Sequence, residues 1–348
     1  MLNCNLLEPD EKIVRKLRSV EYPPVAHPGA KVSVVDDPVS INFPLPTRAG
    51  NWSWTRLVSL GFTALAGLFL LAMIGVFLWE SLPVWRQFGF DYILGTKWFF
   101  RQHEFGILPM IYGTVMVSAL AILLAVPLGV GAAVFTAEIL PSRWRGLVKV
   151  AVELLAGVPS VVYGLLGILF LRDWIYRLLT PFDPLSGDTL LTAGILLAVM
   201  VLPTIITLSD DAIRGVPVLQ RHAARGLGLT RFETVTGLIF PQAWRGIFAS
   251  ILLALGRAMG ETVAVFLVIG RRDNVLPENW YSLRPLLEAG QTLTSKLGGS
   301  ETFIARADPL HWAAIVGLGL VLMGLVVGIT WGGAWLMGRE EGPDAPVA

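Results

Sequence analysis

Two charged residues, Arg257 and Glu261, interrupt an otherwise apolar stretch of the sequence. Their spacing of four residues would place them on one face of a helix. One charge at the centre of a bilayer costs about 2.5–3.5 kcal/mol on insertion scales, so two in one segment need a reason. They could form an ion pair in which each relieves the desolvation of the other. Alternatively, the planar guanidinium could bind a passing oxyanion, with Glu261 orienting it and weakening its grip.

The polar segment ahead of this stretch, residues 210–245, contains a second candidate site. The sequence predicts a short helix over residues 219–227 that is ended by Gly226 or Gly228. Ala223 and Ala224 would leave one helix face flat between basic flanks, and such a face can dock into a groove on another protein. The same pattern also fits a solvated loop with one turn of helix.

The elements that position these residues are long apolar helices. The composition is 54% hydrophobic and 15% charged, with a mean hydropathy of +0.64, and the apolar residues form blocks long enough to cross a hydrocarbon core of about 30 Å. We therefore predict an all-α, polytopic membrane protein with a transmembrane domain at 57–338. The six predicted spans are 57–79, 107–137, 154–171, 189–209, 246–270 and 312–337.

The termini are predicted to form polar tails, residues 1–56 and 339–348. The first is rich in proline, which breaks helices, although a short amphipathic pattern near residues 13–20 could rest on anionic lipid headgroups. Placing both termini in the cytoplasm gives the cytoplasmic segments more Lys and Arg than the opposite loops, in line with the positive-inside rule. The predicted location is the plasma (inner) membrane, with 210–245 on the cytoplasmic side.

Several function classes lack their required residues in this sequence. The single Cys4 and four scattered histidines give no metal-ligand spacing. A net charge of +1 provides no bulk attraction to nucleic acid. No Gly-x4-Gly-Lys-Ser/Thr loop occurs, and the spans contain no nucleophile–base pair. We therefore predict no catalytic residue, no metal, no cofactor bound directly and no nucleic-acid partner.

The polar segment resembles the conserved loop of permeases from binding-protein-dependent ABC importers. Ala223-Ala224, Gly228 and Pro241 fall at the spacing of the family pattern Glu-Ala-Ala-x3-Gly-x9-Ile-x-Leu-Pro. The resemblance implies a coupling helix that sits in a cleft of a separate ATPase subunit. The residues implied in coupling are His222, Ala223, Ala224, Gly228 and Pro241. His222 stands where the family has Glu, so a family contact of that acid cannot be transferred.

The membrane segments resemble phosphate ABC permeases of the PstC type over roughly residues 90–337. The segments that carry this likeness are GRAMGETVAVFLVIG (256–270), ELLAGVPSVVYGLLG (153–167), AGQTLTS (289–295) and the apolar block 105–141. The likeness implies the fold of the type I importer permeases. It also implies that Arg257 and Glu261 line the phosphate pathway. Glu153, Pro159 and Ser160 are expected to have structural or pathway-lining roles.

The resemblance also implies the other parts of a transporter. This chain would form half of a pore with a PstA-type permease, two ATP-binding subunits would hydrolyse ATP, and an extracytoplasmic phosphate-binding protein would deliver the anion. Two alternatives remain: a permease for another oxyanion, such as molybdate, sulfate or phosphonate, and a secondary transporter that works without an ATPase.

Overall fold

A computed structural model describes residues 54–182, 186–276 and 284–338. The predicted tail 339–348 and almost all of the predicted tail 1–56, including the amphipathic pattern near 13–20, lie outside the described residues. The chain divides into two units after Leu60. All contacts given below lie within the second unit, residues 61–348.

Helices account for most of the described residues. In chain order they are α1 Trp54–Phe88, α2 Asp91–Leu94, α3 Leu108–Val134, α4 Ser142–Ala156, α5 Ser160–Leu166, α6 Arg172–Leu179, α7 Leu190–Arg214, α8 Val218–Gly226, α9 Arg231–Thr234, α10 Phe240–Gly260, α11 Val263–Val268, α12 Leu293–Leu297, α13 Glu301–Ala305 and α14 Pro309–Gly338. A small antiparallel hairpin pairs β1 Trp98–Phe99 with β2 Glu104–Phe105. The short 3-10 turns are Phe100–Gln102, Thr180–Phe182 and Arg284–Leu287.

Three π-helical turns extend or join these helices: Phe135–Ile139 after α3, Gly167–Leu171 between α5 and α6, and Val235–Ile239 between α9 and α10. With the turns included, five helices among the described residues are long and apolar enough to cross a membrane. They are Arg56–Phe88, Leu108–Ile139, Leu190–Arg214, Arg231–Gly260 and Pro309–Gly338. A bent pair, Ser142–Ala156 with Ser160–Leu179, adds a sixth if it counts as one span. The predicted all-α membrane fold is therefore confirmed.

The core is centred on α3 and α7, which pack closely along their lengths. Ala121 and Ala125 of α3 are completely buried in this interface. On α7, a Cβ added at Gly194 would lie 2.5 Å from the Leu120 side chain, so only glycine permits this approach. Small residues at such contacts let helix backbones come together where lipid gives no hydrophobic drive for association.

The region of the predicted span at 154–171 differs from the prediction. Residues 142–156 form α4, and the chain then bends by 86° before the helix resumes at Ser160. Hydropathy missed α4 because its basic residues, such as Arg145 and Lys149, recur at helical spacing opposite an exposed apolar face with Leu147 and Leu154. Pro159 sets the bend, since proline disfavours a helical residue before it.

The predicted loop 210–245 and the predicted span 246–270 also need correction. The helix α7 continues to Arg214, and the next membrane-length helix runs from Arg231 to Gly260. Thr230 starts this helix with a capping box to Glu233. Pro241 lies in the first turn of α10. The π-helical turn before it carries the helix past a residue that has no N–H to donate.

Candidate functional site

Arg257 lies near the end of α10 and points out of the chain. Its side chain is exposed, and Nη1 donates a hydrogen bond to Oγ1 of Thr204 at 3.0 Å. Thr204 is the fifteenth of the 25 residues of α7, so the guanidinium lies level with the middle of that apolar helix. Arg257 is therefore a cation held at mid-helix depth whose remaining N–H groups can bind an anion.

Glu261 does not share a helix face with Arg257, contrary to the sequence prediction. The helix α10 ends at Gly260, and Glu261 has extended backbone angles. Its carboxylate accepts a 3.4 Å hydrogen bond from the N–H of Ala264, near the start of α11. No Arg257–Glu261 ion pair is found among the residues that the structure describes. Glu261 thus supports the helix that follows the break, while Arg257 keeps its donors.

The predicted residues Glu153, Pro159 and Ser160 lie at the 86° bend. Ser160 begins α5 directly after Pro159. Glu153 has an exposed side chain on α4, and its backbone carbonyl accepts from the N–H of Gly157. The hydroxyl of Tyr163 donates to the carbonyl of Leu155 at 2.8 Å and joins the two arms of the bend. Tyr163 therefore fixes the geometry of the bend, a role that could not be read from the sequence.

The predicted coupling residues centre on α8, which is mostly exposed. His222 and Ala223 face outward, whereas Ala224 is buried against the chain. Leu219 and Leu227 are 80% and 83% exposed, so the helix presents large apolar side chains to its surroundings. Exposed apolar side chains grouped in this way mark contact sites for other proteins or for a membrane.

An ion pair anchors α8 to the rest of the chain. Nη1 of Arg221 bonds to the carboxylate of Glu138 in the π-helical turn that extends α3, and both side chains are more than four-fifths buried. The same guanidinium also donates to the carbonyls of Ile213 and Val216, near the end of α7. Arg221 therefore connects the exposed helix to two long helices. The sequence could not predict this pair because 83 residues separate its members.

Breaking this anchor is expected to weaken the attachment of α8 to the rest of the chain. Arg221→Gln leaves the carboxylate of Glu138 without its partner, and losing one member of a buried pair typically costs about 3–5 kcal/mol. We expect a melting temperature several degrees lower for the purified complex, and a smaller loss when Glu138→Gln is added. Arg225→Gln is the control, since Arg225 is exposed on the same helix. Equal melting temperatures for Arg221→Gln and Arg225→Gln would contradict the anchoring role.

A second polar cluster lies at the other end of α7, near Lys296. The side chain of Lys296 is only 4% exposed, and Nζ lies 2.8 Å from Asp273 and 2.5 Å from Glu301. Nε2 of His311 lies 3.0 Å from Glu301, and Nε1 of Trp98 donates to the same carboxylate at 2.6 Å. Burial opposes ionisation of Glu301, but its hydrogen bonds to Lys296, Trp98 and His311 hold the pKa of its carboxyl below the ordinary value.

This cluster could not be predicted from the sequence because its residues come from two connections that are far apart in the chain. Lys296 and Asp273 are 23 positions apart, and each looks like an ordinary solvated charge. The N–H of Leu190, the first residue of α7, bonds to the carbonyl of Glu288 in the same connection. At about 1.5 Å per residue, the 25 residues of α7 separate this end from the α8 end by roughly 37 Å.

Comparison with known proteins gives consistent results. Residues 125–329 match the family model described as "Binding-protein-dependent transport system inner membrane component". The phosphate transport system permease protein PstC of Mesorhizobium japonicum is 36% identical over 260 residues, which cover 70% of this chain and 76% of that protein. PstC 1 of Mycobacterium tuberculosis is 38% identical, covering 63% of this chain and 68% of that protein.

Among solved structures, a chain of a bacterial alginate ABC transporter, in complex with a periplasmic protein that holds an alginate pentasaccharide, has a similar fold. The TM-score is 0.56 at 14% identity, and the match covers 81% of this chain and 94% of that one. At this identity the likeness extends to the fold and not to the substrate.

Proposed function

Because this chain belongs to the family of binding-protein-dependent transport system inner membrane components, we propose that it forms half of the membrane pathway of an ATP-driven phosphate importer. The observation that carries this proposal is Arg257, a cation at mid-helix depth whose only hydrogen bond within the described residues goes to Thr204. The relatives of this chain that are named as phosphate permeases support phosphate as the anion.

In this proposal, phosphate passes Arg257 in a pathway shared with a second permease. The guanidinium is exposed on the isolated chain, so in the membrane it must face a partner or a water-filled path. Its planar donors match phosphate oxygens in pairs, which stabilises the anion as it leaves water. Thr204 holds the guanidinium in place, while Glu261 caps the helix beyond the break. Among the described residues of this chain, Arg257 would therefore be a fixed cation that binds the anion through a few donors and can release it.

Coupling to ATP hydrolysis would run through α8. Its exposed residues, including Leu219, Ala223 and Leu227, would dock into a cleft of an ATP-binding subunit. Closure of the two ATP-binding subunits would push α8, and the Arg221–Glu138 pair would pass that movement to α3. The bend at Pro159 and the break at Glu261 divide the other helices into segments that can reorient. The pathway would thereby switch between its two openings.

The proposed assembly contains a PstA-type permease, ATP-binding subunits that use ATP, and an extracytoplasmic phosphate-binding protein. The chain would lie in the plasma (inner) membrane with both termini and α8 on the cytoplasmic side. This orientation follows the bias of Lys and Arg among the connecting segments. The Lys296 cluster would then face the binding protein.

Competition for uptake tests the choice of anion. Cells that express the complete transporter should take up labelled phosphate, and excess unlabelled phosphate should abolish that uptake. A similar excess of molybdate, sulfate or phosphonate should leave it nearly unchanged. Stronger competition by one of these anions would assign the permease to that anion. Labelled uptake that persists without ATP-binding subunits would instead support a secondary transporter.

A further inference from the structure

A polar cavity lies beside the Lys296 cluster, outside the parts of the chain to which the proposed transport mechanism assigns a role. Its volume is about 270 Å³, and it is partly open to the surface. It lies against the end of α11 and the segment that contains α12. Its lining includes Arg271, Asp273, Gln291, Ser295, Lys296 and the second carboxylate of the cluster, Glu301. Donors and acceptors thus surround one space large enough for a small oxyanion with a few waters.

The donors of the cavity are positively charged and held in place. The guanidinium of Arg271 stacks over the ring of Phe266, with its carbon 4.6 Å from the ring centre. No hydrogen bond of Arg271 is found within the described part of the chain. Lys296 has three N–H donors, of which two are used by Asp273 and Glu301. The cavity therefore offers donors that suit the oxygens of an anion.

The acceptors of the cavity are unusual because two of them lack partners. Gln291 is only 6% exposed, and its Oε1 makes no hydrogen bond within the described residues. Oδ1 of Asp273 is also buried and without a partner there. A buried acceptor without a donor typically costs about 1–3 kcal/mol, so such groups call for a ligand or water that can donate. Asp273 and Gln291, which carry these two unpaired acceptors, both line this cavity.

We propose that this cavity binds phosphate in a form that carries a proton, and that it rejects sulfate. The inference rests on the proposed function and names a second phosphate site for the same transporter. Phosphate near neutral pH has both unprotonated oxygens and at least one P–OH group, whereas sulfate has no proton to donate. Arg271 and Lys296 would bind the oxygens, and Asp273 or Gln291 would accept the P–OH hydrogen bond.

The carboxylate of Asp273 provides the selectivity. A negative charge in an anion site repels every anion unless the ligand donates a hydrogen bond to it. Sites that bind a ligand hydroxyl with buried polar groups reject analogues lacking it by about 10⁴–10⁵. The cavity is partly open, so we expect a smaller ratio of roughly a hundredfold. Discrimination by a repulsive group as well as an attractive one is the usual way to exclude a close relative.

The position of the cavity suits an entry site to the pathway. Its lining includes Phe266 and Gly270, which belong to the segment directly after the helix break at Glu261. The backbone of Gly298 packs against Thr262, since a Cβ added at Gly298 would lie 2.8 Å from the Thr262 side chain. A phosphate in the cavity would therefore be close to the break that follows Arg257.

The test measures phosphate binding to the purified complex of permeases and ATP-binding subunits, without the phosphate-binding protein. Equilibrium dialysis with labelled phosphate gives the affinity, and added sulfate gives the selectivity. We expect Arg271→Gln to weaken phosphate binding at least tenfold. Asp273→Asn should remove the repulsion and raise the affinity for sulfate at least tenfold. Glu288→Gln is the control, because Glu288 is an exposed carboxylate of the same connection outside the cavity lining.

A second variant guards against a change in folding. Asp273→Asn also loses a charge next to Lys296, whereas Gln291→Met removes an acceptor that has no partner to lose. We expect Gln291→Met to weaken phosphate binding several-fold with an unchanged melting temperature. Wild-type affinities in all three cavity variants would overturn the inference while leaving phosphate uptake, and so the proposed function, intact. A wild-type complex that transports another anion and not phosphate would overturn both.

Discussion

Replacing Arg257 with leucine is expected to abolish phosphate uptake while the complex still assembles. The leucine removes the cation that lies level with the middle of α7 but keeps a side chain that suits an apolar environment. Hydrogen bonds to charged groups contribute about 1.5–3 kcal/mol each, so two lost bonds to a phosphate predict a fall in uptake of at least a hundredfold. Labelled phosphate uptake measures this loss, and co-purification with the ATP-binding subunits measures assembly.

Removing the hydrogen bond between Thr204 and Arg257 should lower uptake less than removing the charge of Arg257. Thr204→Val leaves the charge of Arg257 in place but removes the group that orients it, so uptake should fall several-fold. Thr330→Val is the matched control, because the Thr330 hydroxyl bonds only to carbonyls of its own helix among the described residues. Normal uptake by Arg257→Leu would remove this residue from the pathway.

Gly228→Asp is expected to uncouple ATP hydrolysis from phosphate transport. Gly228 ends α8 in the left-handed conformation, with φ +83°. Its N–H bonds to the carbonyl of Arg225, and the N–H of Leu229 bonds to the carbonyl of Ala224, which together form a Schellman motif. An L-residue in this conformation costs about 1–2 kcal/mol, and a negative charge at a helix C-terminus opposes the helix dipole. The end of the coupling helix should therefore shift.

The measurement is the number of ATP molecules hydrolysed for each phosphate imported by proteoliposomes. We expect this ratio to rise at least tenfold for Gly228→Asp, and less for Gly228→Asn, which tolerates the left-handed region and carries no charge. Gly226→Ala is the control, since Gly226 lies within α8 and a Cβ there would meet nothing within 4 Å. A wild-type ratio for Gly228→Asp would contradict the coupling role of this helix end.

The helices formed by uninterrupted apolar residues could be predicted from the sequence. The uninterrupted apolar blocks that predicted spans at 107–137 and 189–209 correspond to Leu108–Ile139 and Leu190–Arg214. The helix α4 could not be predicted from mean hydropathy, because basic residues recur at helical spacing among its apolar ones and lower the mean. The break after Gly260 was also missed, since neither Glu261 nor Thr262 is a strong helix breaker.

For the candidate site, sequence identified single residues better than their partners. Arg257 stood out because a charge is rare in an apolar segment, but Thr204 gave no signal 53 positions away. The spacing of Arg257 and Glu261 suggested a shared helix face. That would require the helix to include Glu261, but α10 ends one residue earlier, at Gly260. Gln291 and Lys296 look like ordinary loop residues, and only the fold shows that both are buried around one cavity.

The most direct test of the central claim is ATP hydrolysis by the complete complex in proteoliposomes, measured with its binding protein and each anion in turn. The proposed function predicts that phosphate raises the hydrolysis rate several-fold over the anion-free rate. It also predicts that sulfate, molybdate and phosphonate leave the rate near that baseline. Stimulation by another anion with no response to phosphate would contradict the assignment of this chain to phosphate import.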